Sequence, residues 1–235
     1  MRKLVWVLLA TLSLGGCAGM ENLDLGNVLG GNAPLNEATV AQGLKEALSV
    51  GTQRASDRVG GVDGYLGNVL LRITLPEDLQ EVAGTLRSMG MGAKVDELEV
   101  AMNRAAEQAA GEAVAVFGDA ISGMTVADAW GILRGDDTAA TDYFRARTRT
   151  ALEGRYRPIV ENKLRTVGGY DDYEDLVGKL HSLPFVETPD LDLVGYVTDR
   201  ALDGLFLELA REEQKIREDP LARTTRLLQK VFAAQ

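Results

Sequence analysis

Over most of the chain from Asn36 onwards, apolar residues recur every three or four positions, and no stretch alternates convincingly between apolar and polar residues. The clearest stripe runs from Leu98 to Ile121, and a wider one covers residues 193–209. This spacing indicates helices that each bury one face. Aromatic residues are few, at 6%, and Ala, Leu and Glu are common, which also favours helix. The sequence therefore predicts an all-α single domain over residues 36–235, an irregular bundle of about eight or nine helices.

Capping residues and helix breakers set the expected helix boundaries. The predicted helix starts are the capping boxes Thr74–Glu77 and Thr125–Asp128, the cap Asp190, and the cap and first position Asp219–Pro220. The predicted ends are Gly60–Gly61, Gly90 or Gly92, and a kink or break near Gly154 caused by Pro158, which lacks a backbone N–H. A short helix is expected around Leu176–Leu180. Periodicity is lost between Val62 and Ile73, which predicts a long loop.

The first residues have the layout of a secretory signal peptide. Arg2 and Lys3 precede an apolar run from Leu4 to Leu14, which is too short to span a bilayer as a helix. Residues 1–16 are therefore predicted to be removed on export. Residues 17–35 are rich in Gly and Asn and are predicted to form a flexible, membrane-proximal spacer.

Cys17 is the only cysteine, and an odd thiol in an exported protein needs an explanation. The stretch from Leu14 to Cys17 resembles the bacterial lipobox, which implies cleavage before Cys17 and its acylation. Ordinary signal-peptidase cleavage after Ala18 is the alternative. The first reading predicts an extracytoplasmic, lipid-anchored protein. In a host with two membranes, Ala18 resembles the signal for the outer membrane, with the domain facing the periplasm.

The charge of the chain restricts its partners. The formal net charge is −10, and removal of Arg2 and Lys3 with the leader makes it two units more negative. Nucleic acid and anionic head groups repel such a chain, so no nucleic-acid partner is expected. The expected partners are the membrane, through the lipid anchor, and either an envelope protein or a small apolar ligand.

The residues that common catalytic devices need are scarce. His181 is the only histidine, so a Cys/His zinc site is excluded and a Ser-His-Asp triad would have to use His181. No serine lies in a G-x-S-x-G motif. No phosphate-binding glycine motif is present. Asp190 and Asp192 superficially resemble a calcium loop, but helix capping explains them better. We therefore predict no catalytic residue, no metal and no cofactor, and enzymatic activity stays an open question that leans towards none.

Two polar groups stand out as weak candidates for ligand or partner binding. They are Asn103, Arg104 and Glu107 beside the alanine-rich stripe, and Glu208, Glu212, Arg217 and Arg223 near the end of the chain. Glu208 and Glu212 share one helical face, and paired carboxylates can perform acid–base chemistry. The competing interpretation is charge pairing, within the helix or with Arg145, Arg147 or Arg149 of the one basic stretch. Arg145 is a further candidate, because that stretch could bind an anion.

Five stretches resemble one bacterial family, the domain of unknown function family 4197. They are residues 43–48, 102–107, 139–144, 203–206 and 216–223, and the similarity covers roughly residues 40 to 233. The resemblance implies an exported, often lipid-anchored helical protein of unassigned activity. It brings no catalytic residues with it.

Three functional hypotheses follow. The first is a non-enzymatic envelope lipoprotein, tethered through Cys17, whose helical domain binds a partner. The second is a carrier or sensor of a small apolar or lipidic ligand held between helices, which needs a pocket of a few hundred Å³. The third, the least favoured, is a hydrolase that uses Glu208 and Glu212.

Overall fold

A computed structural model of the protein describes residues 36–168, 171, 173–175, 177–178, 192–219 and 229. The helices are α1 (Glu37–Gly60), α2 (Glu77–Leu86), α3 (Gly92–Ala109), α4 (Ala113–Ser122), α5 (Val126–Leu133), α6 (Ala139–Thr166) and α7 (Leu193–Glu218). The described residues contain no β-strand and pack as one domain, so the all-α prediction is confirmed.

The number of helices is smaller than predicted. A 3-10 turn, Ala110–Glu112, joins α3 to α4 in one continuous rod, so the described residues form six helices instead of eight or nine. The predicted short helix near Leu176–Leu180 and the one after Pro220 lie largely outside the described residues. A π-helical turn, Arg87–Met91, separates α2 from α3 at Gly90, whose φ of 83° favours glycine. This confirms Gly90 as a helix end.

The predicted break at Pro158 is wrong, because α6 runs through it for 28 residues. A proline inside a helix costs one hydrogen bond and some steric strain. Here the apolar stripe continues on both sides of it: Leu152, Tyr156, Val160 and Leu164 are all fully buried. Burial of these four side chains outweighs the local cost of the proline.

Helix starts are in part as predicted. The Thr125 hydroxyl accepts from the Asp128 N–H at 3.0 Å, and the Asp128 carboxylate accepts from the Thr125 N–H, so this capping box is confirmed. The box predicted at Thr74 is wrong: α2 begins after Pro76 without a side-chain cap. The cap of α7 is Asp192, not the predicted Asp190, which lies outside the described residues.

α7 is central, as its wide stripe predicts. It packs on α1, α3 and α6, and its residues Val197, Ala201, Leu202, Leu205 and Phe206 are fully buried. The Phe117 ring lies edge-on to Phe144 and Phe206, with centroids 5.0 and 6.2 Å apart. None of the described helices is long and apolar enough to cross a membrane.

Candidate functional site

The loop of residues 61–76, between α1 and α2, is irregular but tightly held. Asn103, fully buried on α3, accepts from the Ile73 N–H at 2.9 Å and donates to the Ile73 carbonyl at 2.7 Å. Its amide also donates to the Glu99 carbonyl at 2.7 Å. Asn103 thus satisfies both backbone groups of Ile73, as a neighbouring strand does in a sheet.

Glu107, one turn further along α3, holds the start of the same loop. Its Oε1 accepts from the N–H groups of Tyr65 and Leu66, both at 3.2 Å. Its Oε2 accepts from Arg104 at 2.6 Å, and Arg104 also donates to Asp63 at 2.8 Å. Hydrogen bonds with Glu107 and Asp63 raise the pKa of Arg104 above its usual value. The loop backbone and two charges thereby share one bonded network.

Tyr65 is the third anchor of the loop. Its hydroxyl donates to the Ala201 carbonyl of α7 at 2.6 Å, and the side chain is fully buried. A Cβ at Gly204 would lie only 2.6 Å from Tyr65 Cε1, so glycine is needed for this close approach. Burial raises the pKa of the Tyr65 hydroxyl well above its ordinary value. We call Asn103, Arg104, Glu107 and Tyr65 the loop clamp.

Although the loop is held from inside, its outer side chains are apolar and exposed. Val62, Val69 and Leu70 are 86%, 93% and 67% exposed. We call these three residues the loop face. Large apolar side chains fully exposed on an ordered loop are more informative than those scattered along helices.

A groove of about 490 Å³ lies beside the loop face, between residues 70–75 and the first half of α7. Tyr196 crosses it and donates its hydroxyl to the Thr74 carbonyl at 2.8 Å. The Arg200 guanidinium lies 5.4 Å from the centroid of the Tyr196 ring. Leu207, 41% exposed, lies on the α7 side of the groove. The groove is therefore lined by apolar, aromatic and cationic side chains, together with the acidic Glu77 and Asp203.

Glu208 and Glu212 form a separate cluster between α7 and α1. Both carboxylates are 1% exposed, and both contact Arg58: it donates to Glu208, and its Nη2 lies 2.7 Å from Glu212 Oε1. Arg211 pairs with Glu208 at 3.2 Å, and Arg54 lies 4.0 Å from Glu212. We call Arg58, Glu208 and Glu212 the helix clamp.

Charge pairing within the helix is found, between Arg211 and Glu208. The alternative partners Arg145, Arg147 and Arg149 form no ion pair with these glutamates in the described part of the chain, so that half of the interpretation is wrong. α1 supplies the main partner because its C-terminal half, and not the basic stretch of α6, faces this turn of α7. Desolvation lowers the pKa of Arg58, but its hydrogen bond and charge interactions with Glu208 and Glu212 outweigh it, so the pKa is raised. The arrangement is a buried ion cluster that joins two helices.

Glu213 and Arg217 bind the ends of other helices. Glu213 accepts from the N–H groups of Ala140 and Thr141, at 2.9 and 2.8 Å, and so stabilises the start of α6. Arg217 donates to Glu213 and to the Ile132 carbonyl at 2.9 Å. The candidate Arg217 therefore has a structural position, distinct from the loop clamp and the groove.

The basic stretch pairs with acidic helices, as the sequence predicts. The pairs are Arg147–Asp128 at 3.6 Å, Arg149–Asp203 at 2.8 Å, Arg155–Glu112 at 3.3 Å and Arg157–Asp192 at 2.9 Å. Arg145 instead stacks on the Phe206 ring, 4.8 Å from its centroid. The predictions made for Cys17, His181 and Arg223 fall on residues outside the described part.

The structure thus brings Asn103, Arg104 and Glu107 together, and Glu208 with Glu212, but in two separate clusters. Sequence reasoning missed Tyr65 and Arg58, which complete them. The one available signal for Tyr65 was an aromatic residue between Gly64 and Gly67, in a loop that otherwise lacks bulky aromatics. Arg58 had no signal of its own.

The metal-binding side chains and the cavity volumes of the described residues indicate which ligands the domain has room for. Within the described residues, no group of three or more metal-binding side chains occurs. An apolar gap between Leu44, Ile132 and Ile216 measures about 30 Å³, which is the size of one water molecule. The surface groove beside the loop, of about 490 Å³, has room for a ligand of several residues or rings, and a second surface hollow of about 360 Å³ lies beside Val100 and Val167.

Comparison with known proteins identifies one family. The family model described as "Protein of unknown function (DUF4197)" matches residues 34–233. No curated protein and no solved structure matches the chain.

Proposed function

Because this chain belongs to the DUF4197 family, whose description assigns no activity, we propose its function from its own sequence and structure. The protein is an extracytoplasmic lipoprotein, tethered to a membrane by an acylated Cys17. Its helical domain binds an envelope protein through the loop face and the groove beside it. In a host with two membranes the tether is in the outer membrane, and the domain faces the periplasm.

The observation that carries this proposal is the contrast between the two sides of the loop. Its backbone is bonded to Asn103 and Glu107, while Val62, Val69 and Leu70 point outwards with most of their surface exposed. Exposed apolar surface costs solubility without a partner, and a pre-ordered loop loses little entropy on binding. Both facts support a docking surface for another protein.

The loop lies at one end of α1. The described part of the chain begins at Asn36, which caps the N-terminus of α1, and the loop follows the C-terminus of α1. α1 has 24 residues, so about 36 Å separate its two ends. The loop face therefore lies at the end of α1 opposite to Asn36.

The rival functions have weaker support. A ligand held between helices needs a cavity of a few hundred Å³. The interior gap near Ile216 measures about 30 Å³, and the hollow of about 360 Å³ beside Val100 and Val167 is open to the surface. A hydrolase needs carboxylates that substrate can reach, whereas Glu208 and Glu212 are buried beneath Arg58.

Photo-crosslinking in the native envelope tests the docking surface. A photoreactive residue is placed at Val69 or Leu70 of the full-length lipoprotein, and at Val126 as the control. Val126 is 43% exposed and lies near Ser122, whose carbonyl accepts from Lys45 close to the other end of α1. We expect one and the same adduct from positions 69 and 70, and not from 126. Equal adducts at all three positions, or none at 69 and 70, contradict the proposal.

Mass spectrometry of the N-terminus tests the tether separately. The proposal predicts that the mature chain begins at Cys17 and carries acyl chains, and that Cys17→Ser releases the domain from the membrane fraction. A mature chain that begins at Gly19, unmodified and soluble, supports the alternative cleavage after Ala18. The docking surface can stand even if the tether fails.

A further inference from the structure

The groove has one wall made of extended backbone. Residues 72–75 form neither helix nor turn, and their side chains alternate: Ile73 and Leu75 are buried, whereas Arg72 and Thr74 are exposed. Alternation with period two is the pattern of a β-strand. The loop therefore carries a short strand-like segment that has no partner strand among the described residues.

The inner and outer edges of this segment are bonded differently. In extended backbone the N–H and C=O of one residue point to one side, and those of the next residue to the other. Asn103 takes both groups of Ile73 on the inner edge. On the outer edge the Arg72 N–H donates to the Asn68 carbonyl, and the Thr74 carbonyl accepts from Tyr196.

Two backbone groups on the outer edge have no hydrogen bond to any described residue: the Arg72 carbonyl and the Thr74 N–H. They flank Ile73 and line the groove. A carbonyl and an N–H on either side of one residue are the pair that bonds to a single residue of an added strand. The groove thus offers one bridge to an extended peptide.

The charges around the groove indicate what such a peptide carries. Asp203 is paired with Arg149, and Arg72 with Glu99. Arg200 stacks on Tyr196 and has no ion pair among the described residues. In a chain of net charge −10, an arginine without a counter-ion favours a carboxylate ligand. Glu77 lines the same groove and disfavours a second carboxylate near it.

We propose that the groove binds an extended peptide segment of the partner protein, which pairs with the Arg72 carbonyl and the Thr74 N–H and places a carboxylate on Arg200. An apolar side chain of the peptide packs between Leu70 and Leu207. This inference rests on the proposed function, since it names what the partner contributes at the same surface. The binding mode is strand addition.

The peptide used as a probe is first selected from a random displayed peptide library. The full-length lipoprotein in detergent micelles serves as the bait. We expect selected peptides to share an acidic residue, or a free carboxyl terminus, at a constant spacing from an apolar residue. A consensus peptide is then synthesised together with its amide counterpart. Failure to select any peptide, or selected peptides without a shared carboxylate, overturns the inference.

A matched pair of variants tests Arg200. Arg134 also stacks on an aromatic ring, 4.6 Å from the Trp130 centroid, and also lacks an ion pair among the described residues, but it does not line the groove. Arg200→Ala is expected to weaken consensus-peptide binding about tenfold or more. Arg134→Ala is expected to bind the consensus peptide as tightly as the unmodified protein does. Arg200→Ala is expected to bind the amide peptide and the consensus peptide with the same affinity. Equal weakening by both variants overturns the inference.

Hydrogen exchange at the Thr74 amide tests the backbone bridge. We expect this amide to exchange quickly in the free protein and slowly with peptide bound. Peptide binding without protection at Thr74 overturns the strand-addition mode, and protection that rises with protein concentration alone indicates a second copy instead. If crosslinks at Val69 persist while peptides fail, the proposed function survives and this inference does not. If those crosslinks also fail, both are lost.

Discussion

The loop clamp and the helix clamp both use glutamate and arginine, and they differ in what their carboxylates bind. Glu107 divides its oxygens between two backbone N–H groups and Arg104. Among the described residues, Glu208 and Glu212 contact guanidinium groups, and Arg58 Nη2 lies 2.7 Å from Glu212 Oε1. A buried glutamate can therefore order an irregular loop, or join two helices, depending on which donors surround it.

This difference has an energetic consequence. The helix clamp depends on charge pairing of two carboxylates that are 1% exposed. Removal of the half-exposed Arg58 leaves these carboxylates buried, with Arg211 and the more distant Arg54 as their remaining cations. The loop clamp depends on hydrogen bonds to backbone, so its removal leaves neutral groups unpaired. We expect the first kind of damage to affect the whole fold and the second to affect mainly the loop.

The largest effect is expected from Arg58→Met. Loss of the guanidinium leaves Glu208 and Glu212 without their shared counter-ion, and we expect the free energy of unfolding to fall by about 3 kcal/mol or more. Denaturant unfolding measures it. Arg155→Met is the control, because its pair with Glu112 is exposed and should contribute less than about 1 kcal/mol.

A triple variant separates charge from packing in the helix clamp. Arg58→Met together with Glu208→Leu and Glu212→Leu removes all three charges, and we expect it to recover most of the loss. If the triple variant is as unstable as Arg58→Met alone, the loss does not come from unpaired carboxylates, and the comparison between the clamps fails.

The next largest effect is expected from Asn103→Ala, which leaves the N–H and C=O of Ile73 without partners. At about 1–3 kcal/mol for each unpaired buried group, we expect a loss of about 2–4 kcal/mol. In this variant, hydrogen exchange at the Ile73 backbone amide should become faster by a larger factor than hydrogen exchange at the amides of α7. Gln108→Ala, an exposed change on the same helix, should stay within about 0.5 kcal/mol of the unmodified protein.

Gly204→Ala is expected to lower stability by about 1–3 kcal/mol, because the new methyl group overlaps the Tyr65 ring. Gly118→Ala is the matched control: nothing lies within 4 Å of the added Cβ in α4. There we expect a gain of up to about 1 kcal/mol from helix propensity. A neutral Gly204→Ala means that Tyr65 is not tightly packed, and that the loop clamp lacks its third anchor.

The smallest effect at pH 7 is expected from Tyr65→Phe, about 1 kcal/mol for one hydrogen bond to the Ala201 carbonyl. The size of this stability loss depends on pH. Because burial raises the pKa of Tyr65 well above 10, the unfolded chain ionises first as the pH rises, and the folded protein loses stability above about pH 10. Phenylalanine does not ionise, so the deficit of Tyr65→Phe should shrink there. A constant deficit from pH 7 to 11 contradicts burial of the hydroxyl.

Much of the fold can be read from periodicity, and much of the site cannot. The stripe of residues 193–209 marks α7 as central because a wide apolar face needs neighbours on several sides. Local signals such as Gly60 and the Thr125–Asp128 box also hold, since caps depend on nearby residues. Pro158 fails as a breaker because tertiary packing overrides a local cost.

The site depends on which helix faces meet, and this is where the sequence falls short. The predicted grouping of Asn103, Arg104 and Glu107 follows from their spacing on one helix, but their target, an irregular loop, has no periodic signal. For the same reason, the spacing of Glu208 and Glu212 on one helix does not identify Arg58 as their partner. Charge pairs between helices depend on crossing angles and registers, which side-chain spacing within one helix does not determine.

Hydrogen exchange at the backbone amides of Tyr65, Leu66 and Ile73 tests the central claim, that a rigid loop presents the exposed residues of the loop face. All three donate to side chains of α3. We predict protection comparable to amides of α3, and its loss at Ile73 in Asn103→Ala, while Val69 exchanges quickly throughout. If the three amides exchange as fast as Val69 in the unmodified protein, the loop is not pre-ordered and the account of its surface is wrong.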